Sequence, residues 1–217
     1  MKEIEAPTAP FNQSREWLLW TAAVIGGWLI GTTISLIVSI IISMTGLGAA
    51  FTADPASVPQ ETALILMIIS LAMFFVIGAG TGALQWLILR RHINGLQRWA
   101  LFTGLGFALG AFAFLPFMGI GVGLMQWLLL RGVMNKTGWW AAINAVAWPL
   151  GYIFGGGLGV TLGAAINSPL LGNAISAALT GAVIGAITGA VLLWLLRENR
   201  LLLDGLRQER AAELAKR

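Results

Sequence analysis

The stretch Trp99-Ala-Leu-Phe-Thr-Gly-Leu-Gly-Phe-Ala-Leu-Gly110-Ala-Phe-Ala-Phe-Leu-Pro116-Phe-Met-Gly-Ile-Gly-Val-Gly-Leu-Met-Gln126-Trp127-Leu-Leu-Leu130 decides the fold. It carries no charge, and its length suits either one helix of about 48 Å or two short antiparallel ones. The flanking charges choose between these. One crossing would put Arg131 and Lys136 on the opposite side from Arg90, Arg91 and Arg98. A hairpin, with helices over 99–114 and 117–130 and a turn at Leu115-Pro116, puts all thirteen Lys and Arg on one side. The positive-inside rule makes that side cytoplasmic. The two helices would be about 24 and 21 Å long, short of a hydrocarbon core of about 30 Å, and would be sheltered by longer neighbours.

Outward from the hairpin, four further apolar stretches lie at 17–44, 63–89, 139–162 and 174–196, each long enough to span a bilayer alone. The composition agrees: 58% hydrophobic and 10% charged residues, with a mean hydropathy of +0.84, exclude an ordinary soluble domain. The 28 Gly and ten Trp suit close helix contacts in lipid and the membrane–water boundary. The expected fold is all-α, a polytopic bundle of six spans with both ends cytoplasmic. Residues 1–16 read as a retained polar tail, since they lack the apolar core and cleavage site of a signal peptide. In the tail 197–217 a leucine pattern among mixed charges predicts an amphipathic helix on the cytoplasmic surface. Its interleaved acids leave no basic groove, so the pI near 10.4 does not imply nucleic acid. The bilayer is the expected partner, with other membrane proteins or self-association beside it.

Internal repetition supports the hairpin independently of charge. Gly78-Ala-Gly-Thr-Gly-Ala-Leu-Gln85-Trp86-Leu-Ile-Leu-Arg90 recurs as Gly119-Ile-Gly-Val-Gly-Leu-Met-Gln126-Trp127-Leu-Leu-Leu-Arg131, a shift of 41 residues (119 − 78). A degraded third copy runs from Gly185 through Gly189 and Trp194 to Arg197, without the Gln. The predicted unit is a helical pair, repeated three times in parallel about an axis along the membrane normal. It differs from the inverted repeats of many secondary transporters. The glycine-spaced helix ending Gln-Trp-Leu-x-Leu-Arg, followed by a loop and a Trp-initiated helix, resembles an uncharacterised group of bacterial polytopic membrane proteins frequent in cyanobacteria. The resemblance covers about 74–197. It implies a protein of the bacterial inner membrane or the thylakoid, and it carries over no catalytic residues.

Gly78 and Gly82, Gly119 and Gly123, and Gly181, Gly185 and Gly189 each line one helix face. A second ladder, Gly151, Gly155, Gly159 and Gly163, runs along the fifth helix. Close helix packing is the expectation, with the fifth and sixth helices joined through their two ladders. A homo-oligomer interface and a transport hinge are the alternatives. Trp86 and Trp127 precede Arg90 and Arg131 by one turn, an arrangement expected to anchor each helix at the cytoplasmic boundary.

Gln85 and Gln126 are amides at membrane depth and need partners, either on a neighbouring helix or as a shared polar spot at the inner mouth. Asn144 and Pro149 mark the fifth helix as irregular, through a packing kink or a small polar cavity that a substrate could enter. His92 reads as a solvated boundary residue; ligation of haem or chlorophyll is the alternative.

The absences shape the functional expectation. The sequence lacks Cys, and between Glu16 and Arg197 every charged residue falls in an expected loop or helix end. That pattern offers no proton relay, no metal or cofactor set, and no nucleophile with a base in reach. The leading expectation is therefore a non-enzymatic structural or accessory membrane protein, a subunit or scaffold of a larger complex. The alternative is an uncoupled carrier or facilitator for lipids or small neutral solutes, using Gln85, Gln126, Asn144 and Pro149.

Overall fold

In the computed structural model the described residues are 12–214 without 46, 55–56, 94 and 114; at 51, 52, 113, 115 and from 201 onward only the backbone is described. The polar tail 1–11, Phe114 at the expected end of the third helix, and residues 215–217 lie outside them. The described residues are all-α: α1 (Gln13–Ser43), α2 (Gly48–Thr52), α3 (Gln60–Leu89), α4 (Trp99–Gly110), α5 (Met118–Leu130), α6 (Gly138–Gly151), α7 (Gly157–Ala165) and α8 (Pro169–Leu214).

Four helical columns are long and apolar enough to cross a membrane: α1, α3, α6 continued through α7, and α8 as far as Arg200. The chain is an integral membrane protein. Their outer faces carry the apolar surface such a solvent demands, with Met44, Ile153, Val160 and Leu170 among the most exposed side chains.

Helix ends differ from the sequence expectation for local reasons. α1 starts at Gln13 because the Asn12 side chain accepts from the Arg15 N–H at 3.1 Å and Glu16 sits in the positive first turn. The loop at 46–62 contains the extra short helix α2. α8 opens on Pro169, whose missing N–H costs nothing at a first helical position, after a turn that uses Asn167 at φ 49. Its helical backbone runs unbroken to Leu214, so the amphipathic tail continues α8 and does not form a separate element.

Between α4 and α5 the chain makes two 3-10 turns, Ala111–Ala113 and Leu115–Phe117, and reverses. Glycines let the two arms touch: a Cβ on Gly106 would lie 2.6 Å from the Val122 Cα, and one on Gly110 2.6 Å from the Met118 carbonyl oxygen. Val122 and Met118 descend the second arm as Gly106 and Gly110 ascend the first, so the arms are antiparallel.

The columns form a closed ring in the order α1, α3, α4, α5, α6–α7, α8, with α8 returning to α1. This arrangement corrects one expectation. The fifth and sixth helices do pack together, but Gly151, Gly155, Gly159 and Gly163 meet Ile184, Thr180, Ser176 and Gly172 of α8. The glycine face of α8 points the other way: Gly181, Gly185 and Gly189 lie against Ile25, Thr21 and Trp20 of α1. A helix with two buried sides can present only one of them per neighbour, and the glycine side of α8 goes to α1.

Pro149 lies inside α6 and cannot donate to the Ala145 carbonyl. The irregularity takes the form of a π-helical segment, Tyr152–Gly156, which joins α6 to α7 without a sharp break.

Candidate functional site

The polar residues singled out in the sequence meet on the axis of the ring. The Gln85 side-chain oxygen accepts from Trp99 Nε1 at 3.0 Å and from Gln126 Nε2 at 3.1 Å. Gln126 also donates to Thr103 Oγ1 at 2.9 Å and accepts from Trp140 Nε1 at 3.0 Å. Gln126, Trp99, Trp140 and Thr103 are at most 1% exposed. In hydrocarbon an unpaired amide or indole N–H is costly, and here the Trp99, Trp140 and Gln126 donors find partners on neighbouring helices. The two amides therefore form a closed network and not an open mouth.

A third indole completes the layer. Trp20 Nε1 donates to Thr188 Oγ1 at 3.0 Å, and the Thr188 hydroxyl donates to the Ile184 carbonyl at 2.7 Å. The Trp20, Trp99 and Trp140 rings pack at 5.7 and 6.1 Å between centroids around Trp140. A second aromatic layer follows: Trp28 and Phe107 lie 5.5 and 5.2 Å from Trp148. The axial gap between the layers is about 20 Å³. That is room for one water, which needs about 10–15 Å³ and polar partners.

Asn144 borders this gap, 3% exposed, and donates to the Trp140 carbonyl at 2.9 Å. Pro149 is half-buried nearby in the chain but does not line the gap. The expected substrate cavity at Asn144 is therefore filled by Trp20, Trp28, Trp140 and Trp148. The glycines of the repeated motif hold the walls: Cβ atoms on Gly78 and Gly82 would meet Phe107 and Thr103, and on Gly119 and Gly123 they would meet Trp148 and Asn144.

At the end bearing the charged loops, Arg90 lies 5.1 Å over the Trp86 ring and Arg131 5.2 Å over the Trp127 ring. Both are cation–π pairs at the boundary. Trp194, one position closer to its Arg, faces Lys136 of the preceding loop at 5.7 Å, and Lys136 also pairs with Glu198 at 2.7 Å.

His92 is not solvated: its Nε2 lies 3.1 Å from the Glu16 carboxylate, both side chains about one-tenth exposed or less. Arg200 reaches His92 Nδ1 at 3.3 Å. A guanidinium can only donate, so Nδ1 is the acceptor in that contact. This cluster ties the start of α1 to the end of α3 and the charged part of α8. His92→Leu is expected to lower stability by about 1–3 kcal/mol by stranding a buried carboxylate. The thermal midpoint in detergent checks this, and an unchanged value would show that the contact contributes nothing.

Sequence reading missed Trp20, Trp28 and Thr188. Their signal was spacing: Trp20, Val24, Trp28 and Gly31 on α1 stand in the same intervals as Trp99, Thr103, Phe107 and Gly110, and as Trp140, Asn144, Trp148 and Gly151.

The site offers amides, indoles and hydroxyls, bonded to one another around Gln126, and it contains no titratable group. Among the described residues no group of three His, Asp or Glu could hold a metal ion. No protein-family model, curated protein or solved structure matches the chain.

Proposed function

We propose that this protein is a structural or accessory component of a larger membrane complex, a rigid six-span bundle whose axis conducts nothing. The observation that carries this reading is the axial seal. Two aromatic layers and the Gln85–Gln126 network leave about 20 Å³ between them, and the Trp20, Trp99 and Trp140 indoles and the Gln126 amide are spent on internal bonds. A conduit for neutral solutes needs polar groups turned toward a passage, and these are turned toward each other.

Three parallel helical pairs are the organisation we infer. The support is the recurrence of contacts at shifted positions. Gln85 with Trp99 and Gln126 with Trp140 are bonded alike. Gly31 against Ile77, Gly110 against Met118 and Gly151 against Ile184 are packed alike. Between α8 and α1, where the last pair meets the first, Thr188 and Trp20 stand in for the Gln–Trp bond. This scheme gives both ends and the Arg-rich loops to the cytoplasm. Single cysteines at Gln97 and Lys136 are then labelled only from the cytoplasm, and at Ser57 and Asn167 only from outside; external labelling at 136 would remove the hairpin from the membrane.

The accessory role is tested by mild detergent extraction at native expression, followed by mass spectrometry of co-purifying membrane proteins. A stoichiometric partner is the expected result. A lone monodisperse monomer would contradict it.

A further inference from the structure

Two cavities flank α1 in the half of the bundle away from the charged loops. The first, about 250 Å³, lies over the Trp28 and Phe107 rings and is walled by Met73, Phe74, Ile77 and Met118. It exists because α4 and α5 end at Gly110 and Met118 while α1 and α3 continue past them. The second, about 290 Å³, lies between α1 and the first turns of α8, against Leu36, Leu170, Asn173 and Ala174. Thr32 and Ser35 line both, so only these short side chains stand between the two spaces. The slot follows from the glycine faces: α8 touches α1 from Gly181 inward, whereas Gly172 and Ser176 turn to α7.

The walls are apolar and the rim is hydroxylic. Thr33, Ser70, Thr81, Thr103, Thr161 and Thr188 each donate to the carbonyl four residues back. Thr32, Ser35, Ser39 and Tyr152, which border these two cavities, make no hydrogen bond to another described residue. A hydroxyl at membrane depth gains by meeting a ligand oxygen. Neither cavity is lined by a charged residue. A phosphate would find no cation there, and a small polar solute would gain nothing from the Met73–Phe74–Ile77 wall.

We propose that the joined cavities hold one neutral amphiphile, a long aliphatic chain carrying a hydroxyl or ester group. The chain enters from the bilayer through the α1–α8 slot and packs between α1 and α3. Its oxygen meets Ser35, Ser39 and Asn173. Together the spaces fall within the size of ordinary small-ligand sites, about 300–1,000 Å³. The site is separate from the axial seal, so it stands independently of the accessory role.

The test uses the full chain in phosphatidylcholine nanodiscs doped with diazirine-tailed probes. A diacylglycerol and a fatty alcohol form the neutral arms, and phosphatidic acid with the same tail forms the charged one. Cross-linked residues are mapped by mass spectrometry. Both neutral probes are expected to concentrate on Met73, Phe74 and the α1 stretch 27–39, above the level at lipid-facing Val160. Ser35→Phe is expected to reduce that labelling about tenfold without changing Val160. Should Ser35→Phe not fold, Thr32→Val, which removes a hydroxyl without adding bulk, is expected to lower neutral-probe labelling about threefold. Equal labelling of the cavity and Val160, labelling that survives these substitutions, or phosphatidic acid matching the neutral probes would each overturn the proposal.

Discussion

Gly155→Leu is expected to unfold the bundle or to lower its stability by at least about 3 kcal/mol. A Cβ at this position would strike the backbone of Thr180 on α8, and backbone has no rotamer with which to yield. The two helices would have to separate, and dispersion contacts along their shared face would fall away with distance. Two residues on, a Cβ at Gly157 would meet nothing within 4 Å. Gly157→Leu is therefore expected to leave the thermal midpoint in detergent within the scatter of the wild type. The pair separates packing from helix propensity, since both positions receive the same side chain within one turn of the column. Equal loss in both would mean that the cost lies in replacing a helical glycine and not in the contact with Thr180. Equal tolerance would mean that the α6–α7 column does not face α8.

Gln126→Leu should have the second-largest effect, about 2–3 kcal/mol, with the protein still inserted. A typical polar contact between membrane helices contributes only about 0.6 kcal/mol, and that figure would suffice for a single bond. Gln126, however, accepts from Trp140 and donates to both Gln85 and Thr103. Its loss strands the fully buried Trp140 N–H. Trp140→Phe removes that stranded donor, so a double-mutant cycle is expected to return part of the cost. Additive losses in the cycle would remove the bond from the account. The smaller effect expected of Gln85→Leu tests the same geometry, since Gln126 keeps its bonds to Thr103 and Trp140.

Much of this architecture was legible in the sequence because the signals were local. Apolar runs, the flanking arginines and the exact-spacing copies at Gly78–Arg90 and Gly119–Arg131 point to helices and to the reversal near Pro116. The need of Gln85 and Gln126 for partners was equally visible. The identity of those partners was not, because a hydrogen bond between Gln85 and Trp99 crosses a loop and depends on which helix faces inward. The third of these Trp bonds was hidden by chain order: α8 comes last and the Trp-bearing α1 comes first, and the Thr188 hydroxyl accepts where the other two use an amide. For the same reason the glycine face of α8 was matched to the wrong neighbour. Residue spacing within one helix gives a face but not the helix that covers it. His92 illustrates the other limit: only the return of α8 brings Arg200 to it, and only the start of α1 brings Glu16.

The central claim is that the axis is sealed, and solute flux measures it most directly. The protein would be reconstituted into phosphatidylcholine liposomes and the uptake of glycerol, urea and potassium ions followed by stopped-flow light scattering and ion-sensitive dyes. The sealed bundle predicts permeabilities equal to those of protein-free liposomes for all three. Glycerol or urea uptake well above that baseline, and abolished by Gln126→Leu in a protein that remains folded, would contradict it and make the Gln85–Gln126 network part of a pathway.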